Sequence, residues 1–190
     1  MARIFSFPPV AAPDARVLIL GSMPGEASLK ARQYYAHPRN LFWPILGELV
    51  GARPELPYPD RLAALCRARI ALWDVLQSCE RDGSLDSAID PQTRVVNDFG
   101  DFFARHPRIG WIFFNGREAE KTFRKHAIHV CDAERFRYTL LPSTSPANAS
   151  IPPAVRLDAW RVIVDAPRRV SAPHPGSMAG AGATLQGSST

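Results

Sequence analysis

Hydrophobic positions along this chain change period several times, and the changes mark its elements. Short runs rich in branched and aromatic residues at 16–20, 70–75, 109–114 and 137–141 read as strands. Helical spacing is predicted over 41–50, 60–67, 93–105 and 118–126. A last helix over 153–164 opens with proline in its first turn, where the missing N–H has no partner to lose. Strands alternating with helices predict a mostly parallel sheet covered on both faces. The expected fold is therefore α/β, a three-layer α/β/α sandwich around a central four-stranded sheet.

From about Pro167 the periodicity stops and Gly, Ala, Ser and Pro take over. Such a stretch cannot bury enough apolar surface to offset chain entropy. It reads as a disordered tail over 167–190 behind one domain over 1–166.

Ligands of open parallel sheets bind beyond the carboxyl ends of the strands. The segments that follow the four strands are Gly21-Ser22-Met23-Pro24-Gly25, the stretch from Asp74 to Ser78, Asn115-Gly116, and Pro142 to Ser150. All the unusual polar loops thus fall on one rim, which is the first functional inference.

Composition narrows the classes. At 190 residues, 46% hydrophobic and 22% charged, the chain can build a sizeable core. A net charge of +5, carried far more by arginine than by lysine, permits a polyanionic partner without proving one. Cys66, Cys79 and Cys131 lie far apart, with no CxxC pair. They predict reduced thiols rather than disulfides, a metal centre or an iron–sulfur cluster. No segment approaches the ~18 apolar residues of a membrane span, and no signal-peptide pattern opens the chain. A soluble cytoplasmic monomer without metal or organic cofactor is expected.

The loops carry the chemistry. Small residues in Gly21 to Gly25 let backbone N–H groups approach an anion, though they also suit a plain strand-ending turn. No Gly-Lys-Ser/Thr follows, so this is not a nucleotide P-loop. Gln33 to Asn40 sets Tyr34 and Tyr35 beside His37, Arg39 and the neutral amide of Asn40. Aromatic faces can stack on bases or simply pack, and His37 serves equally as a base or as a structural residue. Ser143, Thr144 and Ser145 offer hydroxyls suited to phosphate, beyond what one helix cap needs. Asp74 ends an apolar strand and either caps a loop or accepts from a ligand. Arg81, Asp82, Ser84 and Asp86 read as a polar turn and helix start.

Taken together and in order, GSMPGEASLKARQYYAHPRNLFW, ALWDVLQSCERDGSLDSAI and LPSTSPANAS resemble the uracil-DNA glycosylase superfamily. The nearest likeness is to its hypoxanthine-DNA (deoxyinosine) glycosylase branch. The resemblance implies base excision from damaged DNA by flipping, with no cofactor. It makes Asn40 the catalytic candidate, because Met23 stands where the mismatch-specific branch carries a water-orienting Asn. It implies that Tyr35 stacks on the flipped base and that Asp74, Ser22 and Met23 surround it. Pro24, Gly25, Ser143, Thr144, Ser145, Pro146 and Asn148 are implied to meet the DNA backbone or to lie where relatives carry an intercalating wedge. The chain has no large apolar residue there and no His opening that motif, which weighs against excision of uracil from ordinary duplex. Hypoxanthine is the expected target. A uracil or mismatch-specific glycosylase and a catalytically silent DNA-binding module remain the alternatives.

Overall fold

The computed structural model describes residues 2–132 and 134–165; the tail expected over 167–190 lies outside them. Among the described residues, strands β1 (Ala2–Phe5), β2 (Val17–Gly21), β3 (Ile70–Asp74), β4 (Leu76–Arg81), β5 (Val95–Val96), β6 (Trp111–Asn115) and β7 (Arg137–Leu141) alternate with α-helices. These are α1 (Glu26–Ala31), α2 (Phe42–Val50), α3 (Tyr58–Arg67), α4 (Phe99–Arg105), α5 (Arg117–His126) and α6 (Pro153–Trp160). Four strands form a parallel sheet in the order β3-β2-β6-β7. Every residue of β2 and β3 is buried, as happens when helices cover both faces of a sheet.

Alternate side chains of those strands feed two cores. Val17, Ile19, Ile70, Leu72 and Phe113 pack with α2, α3 and α6 through Phe42, Leu46, Leu65 and Trp160. Leu18, Leu20, Trp73, Ile112 and Phe114 pack on the other face against α4 and α5 through Phe99, Phe102, Phe103 and Phe123. The three-layer sandwich expected from the sequence is the fold.

Several local readings are corrected. A second, antiparallel sheet, β1-β4-β5, was not legible from the sequence. Its strand β4, Leu-Gln-Ser-Cys-Glu-Arg, carries too many polar residues to look like one. Arg81, read as part of a polar turn, ends β4 and is buried. Its guanidinium donates to the carbonyls of Gly83 and Pro24. The helix expected over 93–105 starts only at Phe99, because Asp98 caps it by accepting from the Asp101 N–H at 2.9 Å and residues 95–96 are strand. Helix α1 was missed because its six residues are too few to show a period. No helix among the described residues is long and apolar enough to cross a membrane.

Candidate active site

Because the four strands run parallel and in register, their carboxyl ends meet. Gly21 pairs with Asp74 and Asn115 with Leu141, so the four following loops share one rim. A cavity of about 540 Å³ opens there, floored by Gly21, Asp74 and Tyr35, with Asn40 on one wall and the 143–147 loop on another.

Asp74 is 3% exposed. Its Oδ2 accepts from the Ser6 hydroxyl at 2.7 Å, while Oδ1 is turned toward Gly21 and Tyr35. Burial raises its carboxyl from 3.8 to about 7; the Ser6 bond opposes the rise and the Asp86 charge adds to it. The carboxyl thus titrates far above the usual carboxylate range. Gly21 is required here, since a Cβ at that point would collide with Asp74 Oδ1 and stand 2.8 Å from the Tyr35 hydroxyl. The glycine ending β2 thus makes room for the carboxylate beside it.

Tyr35 takes a left-handed backbone (φ 55°), which turns it inward just after Tyr34. Tyr34 is core: its hydroxyl reaches the carbonyls of Phe7 and Pro8, and its own carbonyl accepts from the Trp43 indole at 2.8 Å. One face of the Tyr35 ring is already stacked on Phe42, with centroids 4.0 Å apart. Its hydroxyl is buried beside Asn115, and burial pushes its ionisation well above the usual phenol range. Nearby Asn115 engages both ends of its amide with Thr144.

Asn40 sits one residue before the Leu41 cap of α2. Its Oδ1 accepts from the Phe42 N–H at 2.9 Å and its own N–H donates to the His37 carbonyl at 2.8 Å, so the side chain is held rather than free to swing. Its Nδ2 makes no hydrogen bond to a described residue, and Asn40 borders the cavity. His37 accepts from the Arg39 N–H through Nδ1, a turn-forming role.

Ser22 donates its hydroxyl to the Asp86 carboxylate, 2.8 Å from each oxygen. Burial raises Asp86, and the Ser22 bond and Arg81 hold it back. Asp86 is the cavity residue that sequence reasoning missed. It follows a glycine turn in an exposed stretch, and no local pattern says that the turn folds back onto residues 22–26. Asn115 was placed on the rim with Gly116 but was given no role there.

Met23 is 7% exposed and packs with Leu76, Cys79 and Ile89 in a small core under the second sheet, while still bordering the cavity. Pro24 is buried and offers its carbonyl to Arg81, and Gly25 precedes the first turn of α1. In the far loop, Ser143 Oγ accepts from the Ser145 N–H, Ser145 Oγ from the Ala147 N–H, and Asn148 Nδ2 donates to the Ser143 carbonyl. Pro146 lies at the cavity edge. Thr144 departs from expectation. It is wholly buried, its hydroxyl accepts from Asn115 and its carbonyl receives the Leu41 N–H, so it pins the loop to β6 and α2 instead of offering itself to phosphate. Gly116 permits this closeness, because its φ is 98° and a Cβ would stand 2.9 Å from that of Ser143. No cluster of three or more His, Cys, Asp or Glu side chains suited to a metal occurs among the described residues.

The profile of the uracil DNA glycosylase superfamily matches residues 8–163, and the chain belongs to that superfamily. Two relatives, from Methanosarcina acetivorans and Methanosarcina barkeri, are named hypoxanthine DNA glycosylase. The first is 39% identical over 146 residues, 75% of this chain and 86% of its own length. The second is 39% identical over 114 residues, 60% of this chain and 71% of its own. A solution NMR structure from Methanosarcina acetivorans, described as a candidate uracil DNA glycosylase, superposes with a TM-score of 0.69 at 30% identity. The match covers 85% of this chain and 99% of that one.

Proposed function

We propose that this protein is a DNA glycosylase that excises a deaminated base, hypoxanthine foremost, by flipping the nucleotide out of the helix and hydrolysing its N-glycosidic bond. The observation that carries the reading is the convergence of Asn40 and Asp74 on one cavity, a held neutral amide and a buried acceptor at the carboxyl rim of the sheet. The relatives named hypoxanthine DNA glycosylase support the same substrate.

In the reaction, water adds its oxygen to C1′ as the C1′–N bond breaks, the electron pair leaves with the base, and the water's proton ends on the base or in solvent. Positive charge develops on the sugar and is offset by the flanking phosphates. Asn40 Oδ1 retains a second lone pair for a water hydrogen, and Nδ2 is open to the water or the base. The amide therefore acts by orientation, not as a strong base. Ionised Asp74 accepts the N1–H of hypoxanthine, whereas adenine presents a bare acceptor at N1 and is disfavoured. Tyr35 and Met23 wall the base, with Ser22 beside them. Gly25 and Pro24 with Ser143, Ser145, Pro146 and Asn148 line the path of the DNA backbone. We place the protein as a monomer in the reducing compartment that holds DNA, in keeping with three unpaired cysteines.

Uracil presents the same N–H beside a carbonyl, so Asp74 also favours a second reading as a uracil glycosylase. Strands carrying deoxyinosine, deoxyuridine or deoxyxanthosine, incubated side by side and then cleaved by alkali, separate these activities. Asn40→Ala should lower excision of the preferred base by about 100-fold or more while duplex binding persists. Activity within about tenfold of the unsubstituted protein removes Asn40 from the chemistry.

A further inference from the structure

One exposed apolar side chain stands out by position. Leu85 is 57% exposed, and among the large apolar side chains exposed in the described residues it alone lines both the cavity above and a neighbouring groove. That groove, about 760 Å³, continues from the cavity mouth past Gly116, Leu140 and Ile151. The residues on either side of Leu85 are tied inward. Ser84 Oγ accepts from the Glu26 N–H at 3.0 Å, and Asp86 accepts from Ser22. Arg81 fixes the start of the same turn by donating to the Pro24 and Gly83 carbonyls. The backbone of Leu85 is extended (φ −83°, ψ 135°), and its carbonyl receives the Ala88 N–H at 3.0 Å, so the residue is ordered despite its exposure. With both neighbours anchored into the turn after β2, the side chain between them is carried outward at the mouth.

A nucleotide drawn out of a duplex leaves a gap in the stack, and an apolar side chain inserted between base steps offsets the lost stacking. The hydroxyl loop across the mouth supplies Ser143, Ser145, Pro146 and Ala147, none of them long enough to match the reach of a leucine. Resting on the glycosylase reading, we propose that Leu85 is the side chain that enters the base stack when the nucleotide leaves it, working from the turn after β4. The turn is preorganised, so insertion requires no ordering of the loop on binding.

The experiment uses the full chain under single-turnover conditions, with deoxyinosine in a single strand and in a duplex opposite deoxycytidine. Leu85→Ala should slow excision from the duplex by about tenfold more than from the single strand, and Leu85→Met should recover most of that difference. Equal losses on the two substrates, or a duplex rate within about twofold of the unsubstituted protein, overturn the proposal. A second reading is independent of excision. 2-Aminopurine beside the deoxyinosine brightens when it unstacks, so the unsubstituted protein should brighten it on binding and Leu85→Ala should not. Binding without brightening overturns insertion by Leu85. Brightening without release of base from any strand overturns the glycosylase reading and leaves insertion standing. Failure to bind the duplex overturns both.

Discussion

Replacing Asp74 by Asn should make the protein more stable and less active, and the gain in stability should depend on pH. The carboxyl is raised from 3.8 to about 7 chiefly by burial. Between those values the folded chain keeps a proton that the unfolded chain has released. Its contribution to stability is therefore fully present below about pH 4 and is lost as pH rises through 7. A gap of about three pH units corresponds to about 4 kcal/mol. One side of the carboxyl borders an open cavity, which relieves part of that cost, so a working figure is about 2 kcal/mol, or roughly 6 °C in Tm for a chain of this length. Asn has no charge to bury and still accepts from the Ser6 hydroxyl. Urea titrations at pH 8 and pH 3.5 should show Asp74→Asn the more stable by about 2 kcal/mol at the higher pH and level with the parent at the lower. The same titration gates recognition. Excision of hypoxanthine by the parent should rise with pH through about 7, and Asp74→Asn should lack that step because its amide is the same at every pH. A variant no more stable at pH 8, or a difference that stays constant with pH, would refute the claim that burial of an ionised Asp74 burdens this fold.

Two further substitutions probe the frame of the site. Gly21→Ala places a methyl against Asp74 Oδ1 and the Tyr35 hydroxyl, so it should cost about 1–3 kcal/mol and also suppress excision. Denaturation midpoints and turnover read the two effects, and full activity would mean that Asp74 and Tyr35 move without consequence. Asn115→Ala leaves the Thr144 N–H without its acceptor, and should cost about 1–3 kcal/mol while weakening duplex binding through the loosened 143–148 loop. Unchanged affinity would separate that loop from DNA contact.

The layered fold was legible in the sequence because its cause is local. Runs such as Val17-Leu18-Ile19-Leu20 and Ile70-Ala71-Leu72-Trp73 can be strands buried on both faces, and the helical spacing between them leaves little but a parallel sheet with helices on each side. From parallel strands it follows that the loops after them share a rim, so Asp74 and the 143–148 loop were within reach of that reasoning, while Asn40, beyond α1, was singled out by the family resemblance. What tertiary structure decided is which polar atoms in those loops are already engaged. Thr144 looked like Ser143 and Ser145 in sequence, and only the approach of Asn115 and Leu41 commits it to the interior. Tyr35 and Tyr34 are adjacent aromatics, yet a left-handed backbone at Tyr35 sends one to the cavity floor and the other to the core. Arg81, Ser84 and Asp86 read as a polar turn and helix start, because nothing within the turn records that residues 22–26 lie against it. A hydrogen bond between residues some sixty positions apart leaves no mark on local periodicity; the fold brings the partners together, and with them the carboxylate, the hydroxyl and the exposed leucine at the mouth.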